Sequence, residues 1–215
     1  MLNNIKAVVF DLDGVITDTA KYHYQAWKNM ADKLGIEIDI EFNEQLKGVS
    51  RIDSLKRILA HGNQLESYEP AEIERLANEK NEEYKDLIQL VTAADLLPGI
   101  ESFLKELKAH GIRMAIGSAS KNAPAILARL GILQDFDYIV DVSEIVNGKP
   151  SPDIFLKAIE GLGVAADEAI GVEDAEAGIE ALRSAGIYSI GIGVEGDTTL
   201  TSTAELTYEL LQKLN

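Results

Sequence analysis

Short apolar runs, IKAVVF, RMAIGS, DYIVDV, EAIGVED and IYSIGIG, recur along the chain with helical patterns between them, and this alternation restricts the fold more than any other feature. The intervening patterns place apolar residues three and four apart: Ile100, Phe103, Leu104 and Leu107; Ala123, Ile126, Leu127 and Leu130; Ile154, Phe155, Ala158, Ile159 and Leu162. Strands that are apolar on both faces need cover on both faces. The chain is therefore expected to be α/β, a Rossmann-like parallel sheet with helices on both faces. With 215 residues, 46% of them apolar, it has material for one sizeable core and a smaller appended unit. In such sheets ligands sit beyond the carboxyl ends of the strands.

One interval breaks the alternation. From about Thr19 to Asp95 no strand pattern occurs, and the apolar residues (Ala26, Trp27, Met30, Leu34; Leu55, Ile58, Leu59; Ile73, Leu76, Tyr84, Leu87, Ile88) follow helical spacing. This predicts an inserted α-helical cap over 19–95 and a core over 1–18 and 96–215. Its joints, around Thr17 to Ala20 and Thr92 to Pro98, are expected to act as a hinge. The stretch GVEGDTTLTSTAEL reads as a turn and polar connection before a closing helix over 204–214, and HGNQLESYEP reads as a loop.

The strand ends carry the chemistry. The first delivers Asp11 and Asp13 in FDLDGVIT, the second ends at Ser118, Lys149 follows the third in GKPSPD, and the fourth delivers Glu173 and Asp174. Four carboxylates converging on one sheet edge repel one another in a partly desolvated cleft, so a hard divalent cation is the natural counter-charge. Oxygen donors and the absence of cysteine favour Mg²⁺ over zinc. A carboxylate held there can attack phosphorus, and a second just beyond it can exchange a proton with the departing oxygen. Lys149 and the Ser118 hydroxyl are suited to the phosphoryl oxygens.

Charge narrows the partners. Lys and Arg number 20 against 36 Asp and Glu, a net charge of −16, which argues against nucleic acid and anionic membrane surfaces. No segment approaches the roughly 18 apolar residues of a membrane span, and MLNNIKAVVFDLD lacks a signal-peptide pattern. A cytoplasmic monomer is the expectation.

DLDGVITDT, GSAS, Lys149 in GKPSPD, and GVEDAEAG resemble, in order, the four motifs of the haloacid dehalogenase superfamily. The resemblance implies a haloacid-dehalogenase-like core, with Asp11 as nucleophile forming an aspartyl phosphate and Asp13 as general acid and base. It also implies one Mg²⁺ per site, bound by Asp11, the Asp13 main-chain carbonyl and Asp174, with Glu173 beside it. FNEQLKGVSRIDSL, DTAKYHYQAW and SASKN are similar to the β-phosphoglucomutase branch. That similarity implies Arg51 on the phosphate remote from the metal, Lys47, Gly48, Val49, Ser50 and Ser54 along the sugar, and His23 beside Lys47. Ser118, Ala119, Ser120, Lys121 and Asn122 would hold the near phosphate and sugar, and Thr17 and Trp27 complete the substrate-facing set. The implied ligands are sugar phosphates. The implied reaction interconverts β-D-glucose 1-phosphate and glucose 6-phosphate through a 1,6-bisphosphate; the alternatives are a sugar-phosphate phosphatase and a noncatalytic sugar-phosphate-binding module.

Plainer readings stand beside these. Arg51 and Lys47 are the residue types that usually sit solvated at a surface, Ser50 and Ser54 suit helix caps, and Ser120 and Asn122 suit a cap on APAILARL. His23 lies four residues before Trp27 on an apolar helix face, where histidines pack and hydrogen-bond. Trp27 by spacing is core, and Glu173 can be only an electrostatic neighbour of Asp174.

Overall fold

The computed structural model describes residues 4–46 and 49–214, so Lys47 and Gly48 of the expected substrate-facing set lie outside the described residues. The chain divides into two compact units, residues 1–18 with 91–215, and residues 19–90.

The larger unit is built on a six-stranded parallel sheet: β1 (Ala7–Phe10), β2 (Arg113–Ile116), β3 (Tyr138–Ile139), β4 (Ala169–Glu173), β5 (Tyr188–Ile192) and β6 (Thr198–Leu200), in the order β3-β2-β1-β4-β5-β6. β1 is central, pairing Ala7 with both Arg113 and Ala169, and Phe10 with both Ile116 and Val172. Its four residues are all buried. Successive strand residues point to opposite faces, so Ala7 and Val9 join a cluster with Ile154, Phe155 and Ala158 of α7 (Asp153–Leu162) and Leu182 of α8 (Glu176–Ser184). Phe10 meets Phe103 of α5 (Ile100–Ala109) edge-on at 6.0 Å. The sheet is thus covered on both faces, as continuous apolar strands require. The remaining helices here are α6 (Ala123–Leu130) and α9 (Tyr208–Leu214).

Two expectations need correction. The stretch taken as a polar connection contains β6, whose three residues TTL pair in parallel with β5 at the sheet edge. An edge strand of threonines has no apolar run to betray it. The closing helix begins at Tyr208 rather than Ala204, because residues 203–205 form a separate turn of 3₁₀ helix capped by Ser202. Thr203, buried, donates its hydroxyl to the Pro98 carbonyl at 2.8 Å, which fixes that turn.

The second unit has no strand among its described residues. It comprises α1 (Ala20–Lys33), α2 (Ile40–Glu44), α3 (Arg51–His61) and α4 (Pro70–Leu87). Trp27, Met30, Leu55, Ile58, Ile73 and Leu76 form its core. Ser50 caps α3 by accepting from the Asp53 N–H, an interaction worth about 1 kcal/mol. α4 starts with Pro70 in its first turn, where the missing N–H costs nothing.

Candidate active site

β1 ends in mid-sheet, and the chain must leave it sharply. Asp11 takes one more sheet-like bond, its N–H donating to the Val172 carbonyl at 3.0 Å. Gly14 then turns back with φ +80°, a left-handed conformation that favours glycine, and its N–H donates to the Thr17 carbonyl at 2.7 Å. The turn sets Asp13 opposite Thr17. Gly14 is required a second time, because a Cβ there would stand 1.9 Å from an Asp174 carboxylate oxygen. Thr17 is fully buried, and its hydroxyl donates to the Asp95 carbonyl at 2.7 Å.

Lys149 is the centre of the cluster. Its side chain is 4% exposed, and Nζ donates to Asp11 Oδ1 at 2.5 Å and to Glu173 Oε1 at 3.2 Å. Burial alone would lower its pKa, but the attraction of Asp11 and Glu173 outweighs burial and holds it above the ordinary lysine value. Glu173 shifts upward from the ordinary carboxylate value, first because it is buried and then because Asp11 and Asp174 repel its charge; Lys149 works against this. Asp11, Glu173 and Asp174 each offer an oxygen within 4.8 Å of the others. The buried Glu173 Oε2 has no hydrogen-bond partner among the described residues. Three close carboxylates against one ammonium, with an unsatisfied carboxylate oxygen buried among them, fit a hard cation held by oxygen donors.

Glu173 is seated by a glycine in α8. A Cβ at Gly178 would fall 1.7 Å from Glu173 Oε1, the oxygen that Lys149 binds. Gly178→Ala is therefore expected to expel this carboxylate from its place. Apparent Mg²⁺ affinity should weaken by about 10–100-fold, the usual consequence of disturbing the groups that orient metal ligands; isothermal titration with Mg²⁺ reads this directly.

Beyond β2 the chain forms a nested turn. Ser118, 5% exposed, accepts from the Ser120 N–H at 3.2 Å, and Ser120 accepts from the Asn122 N–H at 3.3 Å before α6 begins. Asn122 occupies the cap position of α6 without a side-chain capping bond. Ala119 and Lys121 are exposed, and Lys121 lies close enough to Asp141 to help lower its pKa, after the larger effect of the Ser143 hydrogen bonds. Glu173 thus ends β4, and Asp11, Asp13, Ser118, Lys149 and Asp174 lie in the segments that follow the carboxyl ends of the parallel strands.

The helical unit has a polar cluster of its own. His23 stacks on Tyr84 at 3.9 Å, and its Nδ1 lies 3.0 Å from Nζ of Lys80. Lys80, 3% exposed, also sits over the Trp27 ring at 4.3 Å. Burial first, then the charges of Lys80 and Arg51, push the His23 pKa well below the ordinary value, so the ring is neutral and Nδ1 accepts from the ammonium. Trp27, 4% exposed, packs in the core of this unit, as its spacing suggested. Sequence reading missed Lys80. Its signal is a lysine on the apolar stripe Ile73, Leu76, Ala77, Tyr84 of α4, where a solvated charge does not belong. Arg51, half-buried, donates to Asn78 Oδ1 at 2.9 Å, and burial lowers its pKa against the pull of Glu82. Ser54 is buried and donates to the Val49 carbonyl at 3.5 Å, while Ser50 is occupied as a cap.

A family model described as haloacid dehalogenase-like hydrolase matches residues 5–186. The chain is 47% identical over 214 residues to a β-phosphoglucomutase of Bacillus subtilis, covering 97% of this chain and 95% of that one. It is 32% identical to a fructose-1-phosphate phosphatase of Escherichia coli over 196 residues, 89% of this chain and 98% of that one. A crystal structure of β-phosphoglucomutase from Clostridium difficile superimposes with a TM-score of 0.94 at 48% identity, covering 97% and 96% of the two chains. A buried lysine bridging two carboxylates at the carboxyl edge of the sheet and a family match over residues 5–186 agree: this chain belongs to the haloacid dehalogenase-like hydrolases.

Proposed function

We propose that this protein is a phosphomutase that interconverts β-D-glucose 1-phosphate and glucose 6-phosphate by way of an aspartyl phosphate on Asp11 and a bound 1,6-bisphosphate. The likeness to β-phosphoglucomutases in sequence and in structure, over nearly the whole of each chain, carries this reading. Asp11 supplies the oxygen that forms the bond to phosphorus. It directly follows the central strand, held by the bond from its N–H to the Val172 carbonyl and by Lys149. Asp13, two residues on and half-buried, takes the proton from the sugar hydroxyl that accepts the phosphoryl group and returns it to the sugar oxygen that gives one up. Lys149 and the Ser118 hydroxyl meet the charge on the phosphoryl oxygens. Mg²⁺, held by Asp11, Glu173, Asp174 and the main-chain carbonyl of Asp13, would supply further charge neutralisation there.

Arg51 suits the second phosphate. A guanidinium gives two parallel hydrogen bonds to a phosphate and stays charged even when partly buried, as it is here. Val49, Ser50, Ser54, Lys121 and Asn122 are assigned to the sugar and its phosphates. In this scheme Lys80 and the neutral His23 add a buried donor pair to the helical unit.

Supplying β-glucose 1-phosphate with Mg²⁺ and a trace of the 1,6-bisphosphate tests the reading. Glucose 6-phosphate should accumulate without matching free phosphate. Steady phosphate release would instead favour a phosphatase, the activity of the similar E. coli protein.

A further inference from the structure

We propose that Phe155 is a positioning residue for Lys149, holding the ammonium by its ring face so that one N–H remains directed at the transferring phosphoryl group. This deepens the function proposed above and rests on it. Phe155 is in the first turn of α7, fully buried, and the Lys149 Nζ stands 4.8 Å from its ring centroid. The ring is itself fixed. A Cβ at Gly117, directly after β2, would lie 3.2 Å from two of its carbons and 3.3 Å from a Val9 methyl, so the absence of a side chain at Gly117 makes the slot into which the ring fits. Val9 and Ala158 pack around it in the same cluster.

An ammonium has three N–H donors. Two are given to Asp11 and Glu173. The attraction of a cation to an aromatic face uses no lone pair and has no fixed donor direction. The ring therefore adds a hold on Nζ without competing for the third donor. The need for it arises during turnover. Once Asp11 carries a phosphoryl group, its hold on Lys149 changes, and Glu173 alone would draw the ammonium away from the reacting phosphorus. The ring face opposes that displacement. In a desolvated site this attraction is strong enough to matter for rate.

The test replaces Phe155 by mono-, di- and trifluorophenylalanine in the full chain. The shape is nearly constant along this series while the negative ring face is progressively cancelled. The expected result is a stepwise fall in kcat, totalling about tenfold at the trifluoro member, with the KM for sugar phosphate and the melting temperature nearly unchanged. Affinity for an aluminium fluoride phosphoryl mimic with Mg²⁺, read by calorimetry, should weaken in parallel. Phe155→Leu, apolar but without a π face, should match the trifluoro protein in both readouts. A flat kcat and flat mimic affinity across the series, or an effect on KM alone, overturns the proposal. The unsubstituted protein separates this from the mutase reading: if it releases free phosphate, the mutase assignment fails, and the series is then read on phosphate release and on mimic affinity.

Discussion

Asp11→Asn removes turnover, by on the order of 10⁶-fold if the nucleophile acts here as nucleophiles do in covalent catalysis elsewhere, while the Mg²⁺-free protein keeps or gains stability. An amide oxygen can still accept from Lys149, so the bond that anchors Nζ survives. The amide nitrogen and neutral carbonyl cannot form the acyl phosphate. Glu173 loses one of the two charges that raise its pKa, and its carboxyl group moves back toward ordinary acidity. Product assay and thermal melting in chelator check the two halves separately. A rate within about tenfold of the parent would place the covalent step on another residue.

Lys149→Met is expected to destabilise the metal-free protein by about 3–5 kcal/mol, because removing one partner of a buried ion pair strands the charges it compensated. For a domain of this size that corresponds to a melting temperature lower by roughly 10 °C. The loss depends on pH in a definite direction. Glu173 already has its pKa raised in the folded state, and without the lysine it rises further. Between the unfolded and folded values the folded chain binds more protons, so stability is retained at low pH and lost as pH rises through the folded pKa. Melting across a pH series checks this. A Lys149→Met melt that is independent of pH would mean that Glu173 does not govern the cluster. Saturating Mg²⁺ should recover part of the loss, since a cation that binds the folded carboxylates stabilises by mass action.

Much of the core was legible because continuous apolar strands and amphipathic helices leave few ways to be buried. The residues at strand ends were legible for a related reason. Asp11, Ser118 and Glu173 each interrupt or end an apolar run, and the parallel topology brings such ends to one edge. Other features left no such trace. β6 is three residues at a sheet edge, with threonine where the pattern asks for apolar side chains. The hydroxyl partner of Thr17 is a main-chain carbonyl at Asp95, far along the chain, which no local pattern specifies. Lys80 is polar in name but buried in fact, and its partners His23, Trp27 and Tyr84 come from two helices whose pairing sequence spacing does not specify. The clearances at Gly14 and Gly117 are set by atoms of residues distant in sequence, which spacing along the chain does not reveal.

The central strand acquires its neighbours late in synthesis. Ala7 must wait for Arg113 on one side and Ala169 on the other, and at ribosomal speeds of about 5–20 residues per second that is many seconds with AVVF unpaired. A bare apolar strand is an invitation to stick to another chain. Asp11 and Asp13 follow it at once, and like charges at the end of a sticky segment keep nascent copies apart. The two carboxylates proposed for catalysis stand where charged residues commonly flank an aggregation-prone strand.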